Sequence, residues 1–164
     1  MSRLKLVRNE VDKILMSQPN LMERRNGYIH LYGVAQNCTL LAIKKGLDIE
    51  LCTIIGMLHD IFTYKYEYDK NHAVLGMEEA EGLLRKLEVF SVEEIEIIKN
   101  AIGNHSDKKN KHDKYSELVK DADVMQNSLY DTALEINHPK RLKKTLSKLG
   151  LKLKIQKLIK FKGE

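Results

Sequence analysis

A histidine and an aspartate stand side by side at His59 and Asp60, in the segment MLHDI, near the end of the most apolar stretch of the chain. Leu51, Ile54, Ile55, Met57, Leu58, Ile61 and Phe62 occupy nearly every side of a helix drawn through this stretch, which marks it as core. An ionised carboxylate is costly in such surroundings unless a cation or several hydrogen bonds compensate. A metal ion compensates it while also taking a neutral imidazole nitrogen as donor. A pair that only caps the helix end is the plainer alternative, and the dipeptide by itself leaves both open. His30 in YIHLYGVA and Asp123 in KDADVM lie on other helical stretches, and antiparallel packing of those stretches would bring the four side chains together. A mixed imidazole and carboxylate site suits a divalent ion such as Mn, Fe, Ni, Zn or Mg.

The order of histidine, His-Asp pair and distant aspartate resembles the HD superfamily of metal-dependent phosphohydrolases over about residues 27–130, and MLHDI and DADVM are similar to that family's local contexts. The resemblance implies an all-α domain with His30, His59, Asp60 and Asp123 as metal ligands and with His59 and Asp60 at the catalytic centre. It also implies hydrolysis of a phosphoester or phosphoanhydride bond by attack of a metal-bound water, in a nucleotide or dinucleotide polyphosphate. Asp123 fits the last ligand position better than Asp121, because the family's aspartate follows a small residue and precedes an apolar one, here Ala122 and Val124. Asp121 is then expected to be solvated or to support a ligand from behind. His72 in NHAVLGMEEA and His105 in IGNHS are similar to the additional histidines of dinuclear branches, which implies one or two ions per chain; a hydrogen-bonded or exposed histidine at a helix end is the alternative for each. His112 and His138 have no such context and are expected in solvent.

The chain departs from branches that carry an acidic residue shortly after the pair. Ile61, Phe62 and Thr63 follow instead, so no general acid is assigned and the 5′-nucleotidase branch fits less well. Arg24, Arg25 and Lys65 are the basic residues nearest in sequence to the ligands and are the candidates to bind substrate phosphate, with a solvated surface charge as the alternative for each. A metal-binding regulatory module without turnover is the alternative to the enzyme as a whole.

Helices must carry these residues. Prolines occur only at Pro19 and Pro139, and apolar residues recur between them at helical spacing. Leu4, Val7, Val11 and Ile14 make one face of a first helix that residues 17–20 end. A second is predicted over 28–45, closed by Gly46, and a third over 49–62 with Asp48 as its cap. The aromatic segment TYKYEY is expected as a loop, followed by a fourth helix over 71–88. Ser91 and Glu94 form a capping-box pattern opening a fifth helix to about 104, SDKKNKHDK reads as a solvated loop, and a sixth helix is predicted over 115–136. The expected fold is a compact single-domain bundle of six or seven helices, with the phosphohydrolase domain over 1–138 and a basic amphipathic tail over 139–164. In that tail Gly150 separates a helix that begins near Lys140 from a second short one, with Leu151, Ile155, Leu158 and Ile159 at helical spacing although Leu151, Leu153 and Ile155 also alternate as a strand would.

Composition narrows the remaining possibilities. At 164 residues one core suffices, and the two cysteines, Cys38 and Cys52, are not spaced as CxxC and lie in apolar helical contexts, as reduced core residues do. The first residues lack the apolar core of a signal peptide and no apolar run is long enough to span a bilayer, so a cytoplasmic location is expected. The net charge of +5 comes from the tail, whose ten basic residues face one acidic residue, while the body holds 18 basic and 22 acidic residues. A nucleic acid or an anionic surface is therefore a conceivable partner of the tail, beside a small phosphorylated substrate for the site. Phe161 is the single aromatic residue there, which disfavours base stacking, and no GxxxxGK[ST] phosphate loop is present.

Overall fold

The computed structural model describes residues 2–68, 70–130 and 136–152, and every regular element among them is helical. The elements are α1 (Arg3–Ser17), α2 (Leu21–Lys45), α3 (Ile49–Leu58), α4 (Ile61–Tyr66), α5 (His72–Leu87), α6 (Val92–Asn104), α7 (Lys114–Leu129) and α8 (Pro139–Lys148). Ser2, Asn20, Asp48, Ser91 and Asp113 each turn a side-chain oxygen onto amides of the following first turn, which satisfies N–H groups that a helix start leaves unpaired. Ser91 and Glu94 make the reciprocal capping box, and Gly46 closes α2 at φ 63°.

Three boundaries differ from the sequence expectation. α2 begins at Leu21 rather than near 28, because Asn20 accepts from the amides of Met22 and Glu23. The helix expected over 49–62 is broken at His59 and Asp60: α3 ends at Leu58, Asp60 adopts φ −116° and ψ 18°, and α4 resumes at Ile61. The Gly56 carbonyl accepts from His59 Nδ1 at 2.9 Å, which competes with the amide of Asp60 that a continuing helix would bring to it. Most of TYKYEY is consequently helical, and the break accounts for eight helices where six or seven were expected. α7 ends at Leu129, and Ile136 is buried outside any helix; residues 131–135 lie outside the described residues.

α3 forms the centre, with every residue from Leu51 to Leu58 buried. α2 packs along α3 and α7, α6 contacts both α3 and α7, α5 lies on α6, and α1 on α3. Gly56 permits the close crossing of α2 and α3, since a Cβ there would sit 2.8 Å from both Ala35 Cα and Cys38 Sγ. Cys38 and Cys52 are buried and unbonded, and burial pushes the Cys52 thiol up to about 12, a setting in which a thiolate does not form. α8 docks on α7 through Leu142, Thr145 and Leu146. Gly150 follows it at φ 78°, and the second short helix expected after it, with Ile155, Leu158 and Ile159, falls outside the described residues. No helix among the described residues is long and apolar enough to cross a membrane.

Candidate metal centre

Helix ends converge on one point. His59 is the residue after α3, Asp60 precedes α4, His72 opens α5 and His105 follows α6, while His30 and Asp123 project from the bodies of α2 and α7. Placing polar ligands at helix ends leaves the apolar helix bodies free to pack.

Asp60 stands between two pairs of histidines. Its Oδ2 lies 3.3 Å from both His30 Nε2 and His59 Nε2, which are 3.1 Å from each other. Its Oδ1 lies 3.4 Å from His72 Nε2 and 3.1 Å from His105 Nε2, themselves 3.2 Å apart. Asp123 Oδ1 joins the first set at 3.6 Å from His30 Nε2 and 3.9 Å from His59 Nε2. Two clusters of potential ligand atoms result, His30 with His59 and Asp60, and Asp60 with His72 and His105.

The tautomers are fixed from behind. His59 Nδ1 bonds the Gly56 carbonyl at 2.9 Å and His105 Nδ1 bonds the Ile102 carbonyl at 2.7 Å, so each Nδ1 carries the proton and each Nε2 turns a lone pair inward. Lone pairs of nitrogen and carboxylate oxygen thus face each other at contact distance, and Asp60 Oδ1 is buried without a hydrogen-bond partner. Positive charge between them, a metal ion or a further proton on an imidazole, relieves this repulsion. Ligands that share one ion at bond lengths of about 2.0–2.1 Å stand roughly 3.0–3.4 Å apart, depending on coordination geometry. The spacings within each histidine pair and to Asp60 match that range, so the donor set fits a divalent ion in each cluster. Burial works against ionising Asp60, yet the imidazoles of His59, His105 and His30 hold its carboxyl well below the usual carboxylate range. Burial likewise opposes ionisation of Asp123, and Lys108 with His59 and His30 brings its carboxyl below the ordinary value.

Lys108 is the cation that sequence proximity did not single out. Its Nζ lies 2.6 Å from Asp123 Oδ2 and donates to the His105 carbonyl at 2.6 Å, with only 10% of the side chain exposed. Asn127 also donates to Asp123 Oδ1 at 2.8 Å. The spacing of four between Asp123 and Asn127 on a helix was a readable signal; Lys108 was hidden among the lysines of SDKKNKHDK.

The basic residues named from sequence are directed elsewhere. Arg24 donates twice to the Gln18 carbonyl, Lys65 pairs with Glu79 at 2.6 Å, and Arg25 is exposed; none of them lines the metal cleft. Asp121 is neither solvated nor set behind a ligand: it is buried and paired with Arg141 at 2.7 Å and Lys45 at 3.4 Å. His112 is not in bulk solvent either, because its Nδ1 accepts from the fully buried Lys120 at 2.7 Å. Lys120 also donates to the Asn110 carbonyl and Glu117, so the loop expected to be merely solvated is anchored to α7. His138 is exposed, at the edge of the cleft. That cleft, of about 240 Å³, reaches Asp60, His72, His105, Lys108 and Asp123.

The family model of the HD domain matches residues 27–128, more than half of the chain and the span that contains all six converging residues. No solved structure matches the chain.

Proposed function

Because the chain belongs to the HD domain family, we propose that it is a metal-dependent phosphohydrolase with two ion positions that share Asp60. His30, His59, Asp60 Oδ2 and Asp123 would hold the first ion, and Asp60 Oδ1, His72 and His105 the second. The observation that carries this reading is the buried, unpartnered Asp60 Oδ1 facing two imidazole nitrogens while Oδ2 faces two others. Buried carboxylate oxygens are ordinarily hydrogen-bonded, and a carboxylate set between two pairs of imidazoles is an arrangement that a pair of cations would satisfy.

Divalent ions bound there supply Lewis acidity, which acidifies water and neutralises charge on a phosphoryl oxygen. The chain's own residues do the rest. Gly56 and Ile102 orient His59 and His105 through their carbonyls. Lys108 keeps Asp123 ionised and brings an ammonium group to the cleft, where it can meet the developing charge of a phosphoryl group. Asn127, Asn137 and His138 complete a polar cleft wall suited to the oxygens of a small phosphorylated substrate, which we propose is a nucleotide or dinucleotide polyphosphate.

Metal analysis together with phosphate release from a panel of nucleotides tests this. The expected result is one to two equivalents of Mn, Fe, Ni, Zn or Mg per chain and turnover that is lost in excess chelator. His72→Ala and His105→Ala should reduce the metal content towards one equivalent. Undetectable metal after loading would sink the assignment. Full loading with no turnover on any phosphoester or anhydride would leave the regulatory module as the better account.

A further inference from the structure

The basic surplus of the chain converges on a second depression, apart from the metal centre. A groove of about 560 Å³ lies between α8, residues 109–111 and the C-terminal end of α2. On α8, Lys140, Lys144 and Lys148 recur every fourth residue, which sets them on one face at steps of about 6 Å along the axis. Lys109 and Lys111 face them from the loop. Beneath them, Arg141 bonds Asp121 at 2.7 Å and Glu117 at 3.0 Å, and Lys45 reaches Asp121 at 3.4 Å. Both acidic residues of the groove are thereby neutralised by its floor. The five lysines of the rims are exposed and have no ion-pair partner among the described residues.

The groove is continuous with the metal cleft. An intervening depression of about 370 Å³ is lined by Lys108, Asn137 and His138, which also line the cleft, and by Lys140 and Arg141, which also line the groove. The N-terminus of α8 opens onto it at Pro139, with no side-chain cap and no acidic residue in its first turn. Its dipole adds to the positive potential along the track.

We propose that this groove binds a linear chain of phosphates, and that a substrate cleaved at the metal centre lays its distal phosphates along it. The second clause rests on the phosphohydrolase reading; binding in the groove does not. Lysines act as point charges for phosphate oxygens, and the forked guanidinium that would favour a carboxylate is already engaged with Asp121 and Glu117. Among the described residues no aromatic side chain lines the groove on which a nucleobase would stack, and no apolar one that would enter a bilayer. The chemistry selected is the phosphate chain alone, whether free as inorganic polyphosphate or attached to a nucleoside.

Calorimetric titration of the full chain in excess chelator separates the groove from catalysis. The probes are short inorganic polyphosphate, pyrophosphate, adenosine tetraphosphate, a single-stranded RNA of matched charge, and phosphatidylglycerol vesicles. Polyphosphate should bind at least about tenfold tighter than pyrophosphate, and Lys144→Glu with Lys148→Glu should remove at least about tenfold of that affinity while the helical circular dichroism is kept. Lys5→Glu with Arg8→Glu on α1 is the matched charge control and should cost far less. Tight adenosine tetraphosphate binding would identify a nucleoside-linked chain as the source, and polyphosphate alone would identify the free chain; either supports the site. Equal affinity for pyrophosphate and polyphosphate, an equal loss in the α1 control, tighter binding of the RNA, or binding of vesicles only would each overturn it. With metal restored, the α8 variant should raise KM for the chain substrate more than for bis(p-nitrophenyl) phosphate. Ester hydrolysis without chain binding overturns the groove and leaves the phosphohydrolase reading intact. Chain binding without any hydrolysis upholds the groove and counts against that reading.

Discussion

At the scale of single residues, Asp60 is decisive because its two oxygens face different partners. Asp60→Asn keeps the shape and removes the charge, so metal should be lost from both positions. The helical circular dichroism in chelator should be kept, since the substitution conserves the volume of the side chain. Elemental analysis and circular dichroism check this, and a variant that retains stoichiometric metal would refute the bridging role. Lys108→Gln makes the complementary case. It leaves all six candidate ligands in place, so metal should persist while kcat/KM falls by about a hundredfold, the usual scale for losing one charge-stabilising donor. An unchanged rate would show that Lys108 only steadies the loop. His59 and Asp60 stood out in the sequence because such a pair is costly in an apolar helix without a purpose, while His30, His72, His105 and Asp123 stood out through the resemblance to the HD superfamily. Lys108 did not, because a lysine in a lysine-rich loop carries no such signal. Arg24 and Lys65 show the converse: nearness in sequence is not nearness in space when a carbonyl at Gln18 and a carboxylate at Glu79 compete for them.

At the scale of elements, the sequence announced helix starts wherever a side chain supplies the cap, as at Asp48 and Ser91. It did not announce the break between α3 and α4, because that break depends on a histidine side chain bonding the carbonyl of Gly56 within an otherwise continuous helical pattern. Gly56 has two functions at once, admitting α2 to close contact and presenting its carbonyl to His59. Gly56→Ala places a Cβ 2.8 Å from Ala35 Cα, which is backbone and cannot swing aside. The crossing must widen, at a cost of about 1–3 kcal/mol of the kind seen when extra carbon is forced into a packed core. His59 should shift with the carbonyl that orients it, so metal affinity should fall along with urea stability. Loss of stability with metal affinity unchanged would uncouple the crossing from the site.

At the scale of the whole molecule, the tail is fastened to the body by charge as well as by Leu142 and Leu146. Arg141 of α8 bonds Glu117 and Asp121 of α7, and the His112 amide donates to Glu117, so a single carboxylate links α8, α7 and the loop that carries Lys108. Only the apolar half of this docking was legible as helical spacing, because the ion pairs join residues far apart in sequence. Burial works to raise the Glu117 carboxyl, but Lys120, the His112 amide and Arg141 outweigh it and bring the group from 4.5 to about 2. A carboxyl depressed by folding contributes stability that is fully present above its unfolded value and is lost as pH falls through its folded one. The urea midpoint of the protein should therefore decline between about pH 4.5 and pH 2, partly through this group. Glu117→Gln isolates that part. At neutral pH the variant should be less stable by about 1–2 kcal/mol, between the values typical of exposed and buried ion pairs. The difference from the parent should shrink as acid protonates Glu117 in the parent, until the two curves meet near pH 2. Asp60 and Asp123 titrate alike in both proteins and cancel in the comparison. Parallel curves over the whole acid range would mean that Glu117 contributes shape rather than charge to the junction of α7, α8 and the loop.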